Sequence, residues 1–235
     1  MEQMLGILTL ERGTGKWPRP AGGDMTNPST WPLATIIEIV PGAWVENVVR
    51  GDPAMQLAFL EAGRRLVECG ATIITTTCGF TRRYQEALSR QLPVPVATSS
   101  LLLLPSLLRI HPHGKIAVLT YDSNFLDDEL LCLDYPADRS RVVVGGVEGG
   151  VYWKNELAKP SRPTDLAQLE SEVWHCLQKL HAHHQDIRAV LFECCGFPPT
   201  AMRMRERSNL PVYDIVTLCR LMIQTVSTGQ PAPQR

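Results

Sequence analysis

Ala71-Thr-Ile-Ile-Thr-Thr-Thr-Cys78-Gly79-Phe80 and Ala189-Val-Leu-Phe-Glu-Cys194-Cys195-Gly196-Phe197-Pro198-Pro199 are the two stretches that decide the fold of this chain. Each begins with a short apolar or β-branched run, the pattern of a buried strand. Each run ends in cysteine, with Gly-Phe close behind. Two further anchors recur in the same order. Gly6-Ile-Leu-Thr9 is echoed by Ala117-Val-Leu-Thr120, and Leu92-Pro-Val94 by Leu210-Pro-Val212. The three offsets are 111, 116 and 118 residues. Near-constant spacing of this kind predicts duplication of a lobe of roughly 110 residues, with the halves related by a pseudo-twofold axis.

Outward from these anchors, short strands alternate with helical patterns, which predicts βαβ units and a mostly parallel sheet in each half. The expected strands are Leu5–Leu10, Thr35–Val40, Thr72–Thr77 and Val94–Thr98, then Lys115–Tyr121, Arg141–Val147, Arg188–Glu193 and Val212–Ile215. Asp165 to His184 reads as an amphipathic helix. Pro53 to Cys69 reads as another, with Asp52 as N-cap and Gly70 as its stop. The fold class expected is α/β, with two pseudo-symmetric lobes, each a four-stranded mostly parallel sheet flanked by helices. The first lobe spans residues 1–102, with a C-terminal helix over 217–235 packing back on it, and the second spans 103–216. Ligands of such sheets bind beyond the carboxyl ends of the strands. Both cysteines fall there, as does the Gly/Pro-rich segment from Glu11 to Pro32, whose length suits a lid or binding loop. Gly145 to Gly150 holds the corresponding place in the second lobe.

Bulk properties narrow the function classes. The 235 residues are 44% hydrophobic and 20% charged, with a formal net charge of −1. That balance gives no field to attract nucleic acid or an anionic membrane, so a small-molecule substrate is the expected partner. Met1 to Glu11 reads as a strand rather than a signal peptide, and Leu101 to Ile110, interrupted by Pro105, is too short to span a bilayer. The odd number of cysteines, seven, without framework spacing, predicts free thiols and a cytoplasmic address. His175, His181, His183 and His184 crowd one helix end without a matching cysteine or carboxylate set, so no metal site is expected. Gly13-Thr-Gly-Lys16 lacks phosphate-loop spacing, and no Gly-x-Ser-x-Gly elbow occurs.

If the pseudo-twofold brings Cys78 and Cys194 across one cleft, the pair can take a proton from one face of a carbon and return one from the other. A free thiol has a pKa near ~8.5, so the thiolate needs support. Backbone N–H groups at the following helix starts can supply it, and Gly79 and Gly196 let backbone approach a ligand. Strand alternation points Glu193 away from the face of Cys194, so sequence alone does not make it the acid partner.

The Thr-Cys78-Gly-Phe and Phe-Glu193-Cys194-Cys-Gly-Phe-Pro-Pro contexts resemble the aspartate/glutamate racemase superfamily, to which hydantoin racemases and arylmalonate decarboxylase also belong. Gly23-Asp24-Met-Thr-Asn27-Pro-Ser-Thr-Trp31-Pro is similar to the N-terminal loop of an uncharacterised branch. The resemblance implies a cofactor-independent racemase or epimerase that uses Cys78 and Cys194 as paired acid and base. It also implies a homodimer. Amino-acid racemases of this group follow the first cysteine with Asn-Thr and the second with Thr-His, which hold the substrate. Gly79-Phe80 and Cys195-Gly196 replace them here, nearer the hydantoin racemase pattern. Thr9, Asn27, Thr77, Thr120 and Ser123 are candidate substitutes for that clamp, with Gly79, Cys195 and Gly196 completing the expected substrate-binding set. Two alternatives stay open: decarboxylation through one thiol, and a ligand-binding protein without turnover.

Overall fold

The computed structural model describes residues 3–133 and 135–226. Two four-stranded sheets form, and every strand pairing in them is parallel. The first contains β1 (Met4–Thr9), β2 (Ala34–Ile39), β3 (Ile73–Thr76) and β4 (Val96–Ala97). The second contains β5 (Lys115–Thr120), β6 (Val142–Gly146), β7 (Ile187–Phe192) and β8 (Val212–Tyr213). Their orders, β2-β1-β3-β4 and β6-β5-β7-β8, are the same order twice.

The central strands carry no polar alternation because helices cover both faces. Leu5, Ile7, Leu8, Ile73, Ile74 and Ile116 through Leu119 are completely buried. Thr75 and Thr76 survive in this core because their hydroxyls donate to Ala97 O and Thr98 O, at 2.8 Å each. Both C-terminal strands are shorter than the sequence suggests. Pro95 and Pro211 precede the paired residues, and a proline has no N–H to offer the ladder.

Helix boundaries follow local capping. The Ala54–Glu68 helix starts one residue after Pro53, with Asp52 Oδ1 accepting from Ala54 N, and Gly70 turns the chain away at φ +95°. Asp165 Oδ2 caps the Leu166–His183 helix through Ala167 N and Gln168 N. The last described helix, Ile215–Val226, buries Ile215, Val216, Leu218, Cys219 and Ile223 in a cluster with Leu5, Ile7, Ile73 and Ala97 of the first lobe. Residues 227–235 of the expected C-terminal helix lie outside the described residues. Among the described residues, no helix is long and apolar enough to cross a membrane.

This topology positions the site. In the order β2-β1-β3-β4 the connections leave β1 and β3 in opposite directions, opening a crevice at their carboxyl ends. β5 and β7 do the same in the second lobe. The lobes meet with these two crevices face to face, joined by a hydrogen bond from Ser100 Oγ to Phe192 O of 2.6 Å.

Candidate active site

One cavity of about 460 Å³ fills the space between the paired crevices. The first lobe contributes Thr9 and Leu10 beyond β1, and Thr77 to Phe80 beyond β3. The second contributes Tyr121 beyond β5 and Glu193 to Gly196 beyond β7. Arg12, Trp17 and Asp24 come from the long loop after β1, and Tyr152 and Glu156 from the Val151–Leu157 helix. Cys78 and Cys194 are free thiols, 8% and 7% exposed, that line this common cavity from opposite lobes.

Burial pushes both thiols up, and the nearby Glu193 carboxylate adds to the effect. Cys194 is pushed up to about 12 and Cys78 well above its ordinary value. Local donors oppose this. The backbone N–H groups of Phe80 and Thr81 favour the Cys78 anion, while the Gly196 N–H and the Tyr152 hydroxyl favour that of Cys194. Tyr152 Oη lies 3.6 Å from Cys194 Sγ. Its own hydroxyl is held protonated by burial and by Cys194, so it is the donor to the sulfur once the thiol has ionised.

Tyr152 is fixed from three sides. Its ring stands edge-on to Tyr121 at 6.1 Å and packs tilted on Phe197 at 5.9 Å. A Cβ on Gly196 would lie 2.0 Å from Tyr152 Oη, so only glycine admits the phenol here. Tyr152→Phe removes the hydroxyl and keeps the ring. Hydrogen bonds to a charged group contribute about 1.5–3 kcal/mol. Alkylation of Cys194 by iodoacetamide, followed by peptide mass spectrometry at fixed pH, is therefore expected to slow at least tenfold. An unchanged rate would mean that the hydroxyl does not support the thiolate.

The cavity mouth is polar. Arg12 stacks over Trp17 at 4.4 Å and pairs with Glu156 at 3.3 Å, joining the two lobes. Burial raises the Glu156 carboxyl against the pull of Arg12. Arg12 O also accepts from Ser161 N, which ties the loop after β1 to the second lobe. Among the described lining residues Arg12 is the one cation. Among the described residues, no histidine, cysteine and carboxylate group forms a cluster able to hold a metal ion.

Of the residues expected from sequence, Thr9, Thr77, Cys78, Gly79, Cys194, Cys195 and Gly196 line the cavity, whereas Asn27, Thr120 and Ser123 do not. Asn27 is spent inside the long loop. Its Nδ2 donates to Pro20 O and Ala21 O, and its Oδ1 accepts from Ser29. Thr120 Oγ1 donates to Glu193 Oε2 at 2.7 Å, and Ser123 Oγ to Glu148 Oε1 at 2.6 Å. Sequence reasoning did not select Arg12, Trp17, Tyr121, Tyr152 or Glu156. Tyr121 was the accessible one, since it follows Thr120 at the end of β5 as Leu10 follows Thr9 at the end of β1.

The fold, with two parallel sheets related by pseudo-symmetry and a cleft between them, is shared with solved structures of arylmalonate decarboxylase and of aspartate, allantoin and glutamate racemases. Arylmalonate decarboxylase superposes with a TM-score of 0.60 at 15% identity, covering 98% of this chain and 96% of that one. Allantoin racemase from Klebsiella pneumoniae gives 0.59 at 15% identity, covering 94% and 87%. No family model matches the sequence. Among curated proteins, a dimethylsulfoniopropionate lyase of Durusdinium sp. clade D is 31% identical over 232 residues, covering 94% of this chain and 74% of the relative. Dimethylsulfoniopropionate lyase 5 of Emiliania huxleyi (strain CCMP1516) is 29% identical over 239 residues, covering 97% of this chain but 46% of the relative. The chain belongs to the dimethylsulfoniopropionate lyase family.

Proposed function

We propose that the protein is a lyase that cleaves a carbon–sulfur bond in dimethylsulfoniopropionate by β-elimination. The Cys194 thiolate takes the proton from the carbon next to the carboxylate. The electron pair left behind forms the carbon–carbon double bond, and dimethyl sulfide departs with the electrons of the broken C–S bond. The products are dimethyl sulfide, acrylate and one proton. The racemase, decarboxylase and lyase reactions share the need for negative charge on a carbon beside a carboxyl or equivalent group, so one thiol-lined cleft suits all three. The observation that carries the reading is the Cys194 sulfur, buried in a cavity and approached by the Tyr152 hydroxyl. The walls add support. Trp17, Phe80, Tyr121 and Tyr152 surround the cavity with aromatic rings suited to a sulfonium cation, and Arg12 brings a guanidinium suited to a carboxylate.

A second reading, a racemase or epimerase, is favoured by Cys78, the thiol contributed by the other lobe. One experiment separates the two. Proton NMR in D2O is recorded with dimethylsulfoniopropionate and, separately, with amino acids and hydantoins. The lyase reading expects vinyl signals of acrylate together with dimethyl sulfide. Deuterium incorporation with inversion in the panel, without acrylate, would transfer the assignment to a racemase. Silence in both arms would overturn both readings.

A further inference from the structure

Glu193 is the one completely buried carboxyl among the described residues of the cleft, and the elimination scheme leaves it without a task. It is completely buried, lines the cavity, and makes no salt bridge among the described residues. Oε2 accepts from Thr120 Oγ1 at 2.7 Å, but Oε1 is buried without a hydrogen-bond partner. That bare oxygen faces the backbone of the other lobe. The position a Cβ would take on Gly79, next to Cys78, is 2.2 Å from it. A buried acceptor without a partner costs free energy, so an arrangement that keeps one at the reacting thiols calls for a use.

We infer that Glu193 is a positioning residue that shares one negative charge with the catalytic thiols, holding the proton that leaves the base thiol as the thiolate forms. The inference rests on the thiol-base reading of this site. In the resting state the pair is thiol and carboxylate. Transfer of one proton gives thiolate and carboxylic acid, with no change in total charge, so no second anion is created in the cavity. The thiolate then takes the substrate proton and becomes a thiol again. Glu193 releases its own proton to water, which is the proton the overall reaction sets free.

The groups facing Glu193 fit this exchange. Cys78 approaches from the first lobe, Cys194 and Cys195 follow it on its own segment, and Thr120 stands at the end of β5 with the Tyr121 N–H just beyond. Tyr152 reaches Cys194 from the neighbouring helix, and Glu156 and Arg12 occupy the mouth. Burial brings the Glu193 carboxyl up to about 7, with Thr120 and the Tyr121 N–H opposing the rise, so it can both take and release a proton near neutrality.

The sign of the pH effect follows from the coupled titration. Below about pH 7 Glu193 is an acid, and thiolate grows with pH. Above it, the ionised carboxylate suppresses the thiolate, so alkylation of Cys194 by iodoacetamide should level off. In Glu193→Gln, which keeps an acceptor for Thr120, the alkylation rate should keep rising and exceed the wild type about tenfold at pH 8. Turnover of dimethylsulfoniopropionate should instead fall at least tenfold in kcat, because the thiol that each substrate proton regenerates then has no carboxylate to which to pass that proton. Glu193→Asp should recover part of that loss. Faster alkylation with slower turnover supports the inference. Unchanged values overturn it, as do a parallel loss of both, the mark of a structural role, or a parallel gain, the mark of a mere suppressor. If the wild type leaves dimethylsulfoniopropionate intact, the lyase reading fails, and the plateau near pH 7, present or absent, still decides the role of Glu193.

Discussion

Cys194→Ser is expected to lower kcat/KM for dimethylsulfoniopropionate more than about 1,000-fold, a loss of roughly 4 kcal/mol of transition-state stabilisation. Serine fills the same space and can still meet the Tyr152 hydroxyl, so the cavity wall should stand. What disappears is a group able to become an anion at all near neutral pH, since an alcohol ionises far above a thiol. Cys194 carries the larger effect because a side-chain hydroxyl, that of Tyr152, stands 3.6 Å from its sulfur, whereas the anion of Cys78 is favoured by backbone N–H groups alone. Cys78→Ser is expected to cost less, about tenfold, because elimination needs one base and the second thiol only lines the opposing wall. Steady-state release of acrylate, followed by its ultraviolet absorbance, measures both variants. Equal losses of 1,000-fold or more would mean that both sulfurs carry protons in the cycle, as a two-base racemase requires. Retained activity in Cys194→Ser would remove the thiol from the mechanism.

The placement of these two sulfurs at strand ends is legible in the sequence, because it depends on the strand pattern and the topology. β3 and, Arg188 apart, β7 are buried on both faces, and after one intervening residue each is followed by a cysteine with glycine close behind it. The parallel order then brings those ends together. Glu193 shows where such reading stops. Alternation along a strand predicts that residues 193 and 194 face opposite sides, but β7 ends at Phe192. Beyond it, Glu193 N and Cys194 N both point to Leu119 O, at 2.8 and 3.4 Å. With the regular ladder lost, both side chains enter the cavity. Asn27 and Ser123 fail to reach it for a commoner reason. Short polar side chains satisfy nearby groups in their own loops, which competes with any ligand. Tyr152, Glu156 and Arg12 arrive through packing between the lobes, and no local pattern records that contact.

Gly79→Ala tests that contact most sharply, and a large loss of stability is expected with loss of activity. Gly79 has no left-handed backbone requirement, so the reason for glycine is space alone. An added Cβ would lie 2.2 Å from Glu193 O and 2.2 Å from Glu193 Oε1, both in the opposing lobe. The carboxylate could rotate away, but the carbonyl is backbone held at the end of β7, where Ser100 Oγ bonds the preceding carbonyl of Phe192. Relief therefore requires the lobes to part or the Thr77–Phe80 turn to shift. Overpacking of this kind costs about 3 kcal/mol or more when backbone must move. For a chain of this size that corresponds to a fall in Tm of about 6–12 °C in differential scanning calorimetry. The same displacement opens the wall that Cys78, Gly79 and Phe80 close over Cys194, so kcat/KM should drop at least 100-fold even where the protein is folded. Gly22→Ala is the matched control, because its added Cβ meets no atom within 4 Å and its backbone lies outside the left-handed region. Its Tm should stay within about 2 °C of the wild type. If Gly79→Ala matched that control in both Tm and turnover, the lobes would not be closed over the thiols in solution.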